Sequence, residues 1–241
     1  MPRKSLVTCV LWVGLTIALE GVGAPAAGAE SEADAAENLV RAVHFEGVPY
    51  ERAAALTDAG VARLIELLED PDERAVHARV IEALGMSGHP GSFERLEAFT
   101  ERGSSGAVDR AGFRARTALR LAMGYLARED ARAEGWLLRD AGRSTPAPWH
   151  FRRMGPQAVR RHLREAALTG LALSGSPSAR DALQEIAEGR TSDAVPGSAP
   201  GPRLRQRAFE AIELHDRVAA SGPAMLRPGG RHGTGRAGRA R

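Results

Sequence analysis

The chain has 241 residues, 43% of them hydrophobic, and 33 Lys plus Arg against 30 Asp plus Glu, a formal net charge of +3. Its single cysteine, Cys9, lies in an N-terminal segment that reads as removable. The remainder therefore excludes disulfides, thiolate metal sites and thiol nucleophiles, and stability has to come from packing.

Residues 1–29 divide into a short basic stretch (Arg3, Lys4), an apolar run from Leu6 to Leu19, and the small-residue series from Ala24 to Ala29 before Glu30. These are the three parts of a secretory signal peptide, and they predict cleavage after Ala29. A membrane-spanning helix needs about 20 apolar residues. This run is shorter and is closed by Glu20, which favours cleavage over retention as an anchor. Cys9 sits inside the run rather than at its small-residue end, where a lipid-modified cysteine would stand. Cleavage leaves 31 basic against 29 acidic residues, a net +2, and every basic side chain is then Arg because Lys4 is the only lysine. Arg suits phosphates and carboxylates, but the same usage, with abundant Ala and Gly, fits the codon bias of a GC-rich gene. The expected location is the periplasm or the exterior.

From residue 30 onward apolar side chains recur three and four apart, with no alternating β-branched runs, so the fold is predicted to be all-α. Residues 30–49 read as a partly helical leader, with His44, Phe45 and Tyr50 placed to cover the end of the first helix pair. Val61, Leu64, Ile65 and Leu68 form one stripe, with Asp58 as its expected cap. Asp70-Pro-Asp-Glu73 then supplies a cap, a proline at the first helical position and an acid three residues after the cap. The next stripe is Val76, Val80, Ile81 and Leu84.

An internal repeat appears when the segment 85–99 is laid on 172–186. The Ser-Gly-x-Pro turns (Ser87 to Pro90, Ser174 to Pro177), the following leucines (Leu96, Leu183) and the closing apolar residues (Phe99, Ile186) coincide. Residues 115–123 and 136–138 make a looser copy. The spacing predicts A helices near 58–69, 92–102, 129–139 and 178–188, and B helices near 73–85, 108–127, 156–173 and 202–219.

Such pairs resemble HEAT repeats of the armadillo-like group, which includes the HEAT-like modules of phycobilisome lyases. Val61 to Gly85 carries the resemblance best, with helix A ending at an Asp-Pro turn and helix B presenting Val, Ala and Leu at core spacing. The resemblance implies an α-solenoid of about four antiparallel pairs over residues 50–220, since one pair cannot bury its own apolar face and stacking at least three supplies a continuous core. Residues 221–241, rich in Gly and Arg without apolar periodicity, read as a disordered tail. HEAT motifs name no reaction.

The A-to-B connections lengthen along the chain, from Glu69-Asp-Pro-Asp to Gly142–Gly155 and Gly189–Gly201, so a solenoid would cluster them on one rim. In the third, Trp149, Phe151, Arg152, Arg153 and Met154 have the composition of an interface hot spot; the competing reading folds Trp149 and Phe151 back over neighbouring helices. The A segments are net acidic, while 107–128 and 152–171 each carry a net +4. In HEAT-like solenoids B helices line the concave surface, so the resemblance implies a basic groove lined by Arg116, Arg120, Arg160 and Arg164, suited to an acidic protein segment or an anionic polymer. The competing reading pairs acidic A faces with basic B faces between layers.

No catalytic constellation is legible. None of the seven histidines precedes a Glu, which sets the chain apart from the HEAT-repeat metal oxygenases, and no Gly-x-Ser-x-Gly elbow or phosphate loop is present. The expectation is a non-catalytic binding or scaffold module of the bacterial envelope or exterior, with a protein partner, no cofactor, no metal and no nucleic acid. The other reading is an accessory or regulatory subunit of an envelope enzyme complex.

Overall fold

A computed structural model of the chain describes residues 31–44, 47–101, 106–190 and 200–222. The expected signal segment, Phe45 and the chain beyond residue 222 lie outside these. Helices α1 (Glu32–Arg41), α2 (Tyr50–Ala54), α3 (Asp58–Glu69), α4 (His77–Ser87) and α5 (Ser92–Glu101) are followed by a two-residue strand, β1 (Gly106–Ala107). Then come α6 (Arg110–Leu126), α7 (Ala131–Gly142), strand β2 (Trp149–His150), α8 (Pro156–Ser174), α9 (Pro177–Ala187) and α10 (Pro202–Ser221). The fold is all-α apart from the parallel pairing of β1 with β2, which ties the connection between α5 and α6 to that between α7 and α8.

Local chemistry sets the helix ends. Pro156, Pro177 and Pro202 open α8, α9 and α10 at a position whose N–H would have no intrahelical partner. Two sequence expectations shift. Thr57, not Asp58, caps α3, its hydroxyl accepting the Gly60 N–H at 3.3 Å. Asp70 caps only a 3₁₀ turn, Pro71–Glu73, so α4 starts at His77 rather than near 73.

The two Ser-Gly-x-Pro turns have the same internal bonding. Ser87 Oγ donates to Leu84 O at 2.8 Å and Ser174 Oγ to Leu171 O at 2.7 Å. The His89 and Ser176 N–H groups then each donate to that serine's hydroxyl at 3.3 Å. Gly88 and Gly175 lie between them at φ +65° and +66°, a left-handed conformation that favours glycine.

The helices fall into two sets with different glue. In one, α4 packs on α6, α6 on α8 and α8 on α10, with α2 against α4 at the start. Small residues let these backbones touch: a Cβ on Gly85 would lie 2.5 Å from the Ala122 backbone, and one on Gly124 would lie 2.3 Å from Gly170 O. In the other set, side chains reach from each helix to its predecessor. Arg63 of α3 pairs with Glu37 of α1, Arg95 of α5 with Glu69 of α3, and Arg132 of α7 with Glu94 of α5. Ser178 of α9 then donates to Glu134 of α7. Each exposed pair contributes about 0–1 kcal/mol, so the weight of the fold rests on the apolar layer between the sets. Leu64, Leu68, Ile81, Leu84, Leu119 and Leu126 are fully buried there. Helix α1 buries Ala36, Leu39 and Val40 in the same core, and Tyr50 lies 5.8 Å from Tyr125 of α6.

Candidate functional site

The connection between α7 and α8 is pinned at three places. Gly106 and Val108 donate backbone bonds to Pro148 O and His150 O, and Ala147 donates to Pro156 O. Phe151 and Met154 exchange backbone bonds at 3.1 and 2.8 Å across a tight turn. That turn puts Arg152 at φ +52°, the only non-glycine residue with positive φ among the described residues. A left-handed conformation costs a residue with a Cβ about 1–2 kcal/mol, so the surrounding contacts have to hold it.

Those contacts are aromatic. Phe113 of α6 stacks on Phe151 at 4.3 Å and on His162 of α8 at 5.0 Å, and meets Trp149 edge-on at 6.3 Å. Phe113, Trp149 and Phe151 join Ala147, Val159 and Leu163 in a second apolar cluster, separate from the main core. Trp149 is 6% exposed and lies under the Arg116 guanidinium at 5.1 Å. Trp149 thus faces inward, as the packing reading has it. Phe151 is half-buried, and Arg152 and Arg153 are exposed.

The arginines expected along a groove divide. Arg120 and Arg160 are 6% and 5% exposed, and both donate to Asp140 of α7, itself 3% exposed, at 3.0 Å. Arg120 also donates to Arg116 O and packs on Trp136; Arg160 also donates to Thr145 O. Arg164 is half-buried and donates to Ala141 O at 2.7 Å. The face carrying Arg120, Arg160 and Arg164 is therefore turned toward α7 and the connection after it, where Asp140 offers a buried carboxylate. Burial holds Arg160 below the usual arginine range; Asp140 opposes this, and Arg120 and Arg143 reinforce it. Burial also lowers Arg164, against Asp140. Arg116 is lowered by burial and then by Arg120 and Arg74, with Asp109 opposing. Guanidinium stays protonated in proteins, so these are charges held at a cost.

The face between α6, α8 and α10 holds instead a shallow cavity of about 470 Å³, lined by Thr117, His162, Glu165, Arg207, Glu210 and Arg217 among others. Its charges balance. His162 accepts from or donates to Thr117 Oγ at 3.3 Å, and burial lowers its pKa from the ordinary 6.5. A second cavity, about 200 Å³, lies between α8 and the start of α10 and is lined by Gln157, Arg160, Arg161, Arg164 and residues 201–204.

Neither helical spacing nor a motif singles out Asp140, Arg143 or Arg161 in the sequence. The signal was local composition: residues 139–164 hold seven arginines and a single acid, Asp140. No carboxylate pairs with Arg143, Arg152, Arg153 or Arg161 among the described residues. No three His, Cys, Asp or Glu side chains there converge as metal ligands, and no helix is long and apolar enough to cross a membrane. Compared with protein-family models, curated proteins and solved structures, the chain matches none.

Proposed function

We propose that the chain is an exported α-solenoid of HEAT-like helix pairs that serves as a non-catalytic binding or scaffold module, engaging an acidic macromolecular partner through the segment 143–155 and the adjoining turns of α8. The single observation that carries this reading is the turn Phe151–Met154. Its backbone is strained at Arg152, it rests on stacked aromatics, and it holds two exposed arginines without carboxylate partners. Strain held in place by packing is characteristic of functional sites. A preorganised cationic tip also loses little entropy when it binds.

The solenoid part of the reading is supported by the alternation of the contacts. Gly85, Gly124 and Gly170 bring α4, α6 and α8 into backbone contact, while α3, α5 and α7 are bridged by side chains. The closer-packed set belongs on the inner radius of a curved stack, which makes the α6–α8–α10 face the concave one. Export rests on the three-part segment 1–29.

A photo-crosslinking amino acid at Arg153, compared with one at Ala62 on α3, tests the site in the native envelope. The reading expects an adduct from position 153 alone, lost when the same protein also carries Arg152→Glu and reduced as salt rises. Equal labelling from both positions, or adducts indifferent to the charge reversal, would overturn it.

A further inference from the structure

We infer that the cavity between α8 and the first turn of α10 is a binding site for a tetrahedral oxyanion, a phosphate or phosphomonoester group, held by Arg160, Arg161 and Arg164. This goes beyond the macromolecular reading and does not depend on it.

Three arginines from two successive turns of α8 line one cavity of about 200 Å³. Each is in a different state of saturation. Arg160 is only 5% exposed, and its hydrogen bonds use Nε, to Thr145 O, and Nη1, to Asp140 Oδ1. Its Nη2 donates to nothing among the described residues. Arg164 is anchored through Nε to Ala141 O, and its two terminal nitrogens donate to nothing among the described residues. Arg161 makes no hydrogen bond or ion pair among the described residues. Anchoring at one edge with the remaining N–H groups free is how an arginine fork presents itself to a phosphate oxygen.

The charge count points the same way. Among the described residues, Asp140 is the acid whose charge acts on Arg160 and Arg164, and it is shared with Arg120. The fourth arginine at the cavity, Arg203, is already engaged with Glu165 at 2.7 Å. The site therefore holds buried positive charge in excess of its counter-charge. A dianion takes up that excess better than a monoanion, and four tetrahedral oxygens suit donors arriving from three arginines better than a planar carboxylate does. The cavity is also bounded by the start of α10, whose N-cap, Gly201, offers no side-chain bond. The first free N–H groups of a 20-residue helix add to the same field.

The test is calorimetric titration of the whole protein with inorganic phosphate at fixed ionic strength, alongside sulfate and acetate, with melting temperature read in parallel. Saturable binding of phosphate and sulfate but not acetate is expected. Arg161→Gln should weaken phosphate binding at least tenfold while leaving the unliganded melting temperature unchanged, since Arg161 is exposed. Arg161→Lys should recover only part, because an ammonium lacks the fork. Absence of saturable phosphate binding, an equal response to acetate, or wild-type affinity in Arg161→Gln would each overturn the proposal. The protein with Arg152→Glu and Arg153→Glu should bind phosphate normally, so that failure of the partner reading and failure of this one give different results.

Discussion

Gly124 of α6 and Gly170 of α8 face each other so closely that a methyl group on Gly124 would sit 2.3 Å from the Gly170 carbonyl oxygen, and one on Gly170 would sit 2.3 Å from Arg120 O. No side chain can yield there, because the obstacle is backbone. Gly124→Ala or Gly170→Ala gains up to about 1 kcal/mol of helix propensity but forces the helices apart, and overpacking costs about 1–3 kcal/mol or more. A net loss is expected for both. Gly135, in the middle of α7, would meet only the tip of Arg139 at 3.5 Å. Gly135→Ala should therefore stabilise by up to about 1 kcal/mol. Urea denaturation of the three variants checks the contrast.

The Asp140 carboxylate separates two buried guanidinium groups. Asp140→Ala leaves both without counter-charge, and breaking a buried pair in this way costs about 3–5 kcal/mol. Replacing Arg120 and Arg160 by Met in the same protein should restore a large part of that loss. If the triple variant is no more stable than Asp140→Ala alone, electrostatic imbalance is not the cause.

Glu82 gives the pH dependence. Burial raises its carboxyl above the ordinary value of 4.5, against the opposing effects of Arg79, the Val48 N–H and Arg114. The native state thus holds this proton more tightly than the unfolded chain. Its contribution is most favourable below the ordinary value and is lost as pH rises through the window above it. Glu82→Gln should raise the melting temperature at pH 7 and have little effect near pH 4. Tyr125, pushed up to about 12 by burial and then by the charges of Glu82 and Tyr50, should titrate lower in the same variant when followed by ultraviolet absorbance.

At the strained turn, Arg152→Gly removes about 1–2 kcal/mol of left-handed backbone cost and adds about 0.5–1 kcal/mol of unfolded-chain entropy. It should be more stable than Arg152→Ala, which keeps the strain. Trp149→Ala empties the aromatic cluster and should lose about 3–5 kcal/mol. Thermal melts of the three variants decide the order.

Most helix boundaries were legible because proline and glycine mark them: Pro156, Pro177 and Pro202 open helices, and Gly88 and Gly175 close them. Where the punctuation was ambiguous, as at Asp70-Pro71, the expected helix began too early, since a 3₁₀ turn uses the same cap and proline. The site was read less well. Helical spacing places Arg116 with Arg120, and Arg160 with Arg164, on common faces, but it cannot say which neighbour each face meets. That is decided by Asp140, a carboxylate from another helix, whose role emerges only when α6, α7 and α8 are brought together. Likewise the hot-spot composition of Trp149 to Met154 was visible, whereas the partition into an inward Trp149 and outward arginines depends on Phe113, far away in the sequence.

The matching turns after Ser87 and Ser174 also bear on how such a chain can grow. The backbone leaves α4 and α8 with the same bonds and nearly the same left-handed glycine. A segment cut at these two points would have interchangeable ends, so whole helix pairs could be duplicated or deleted by recombination without designing a new junction. The joints are the constant part of such a rearrangement, and the surfaces carried between them are the part that changes.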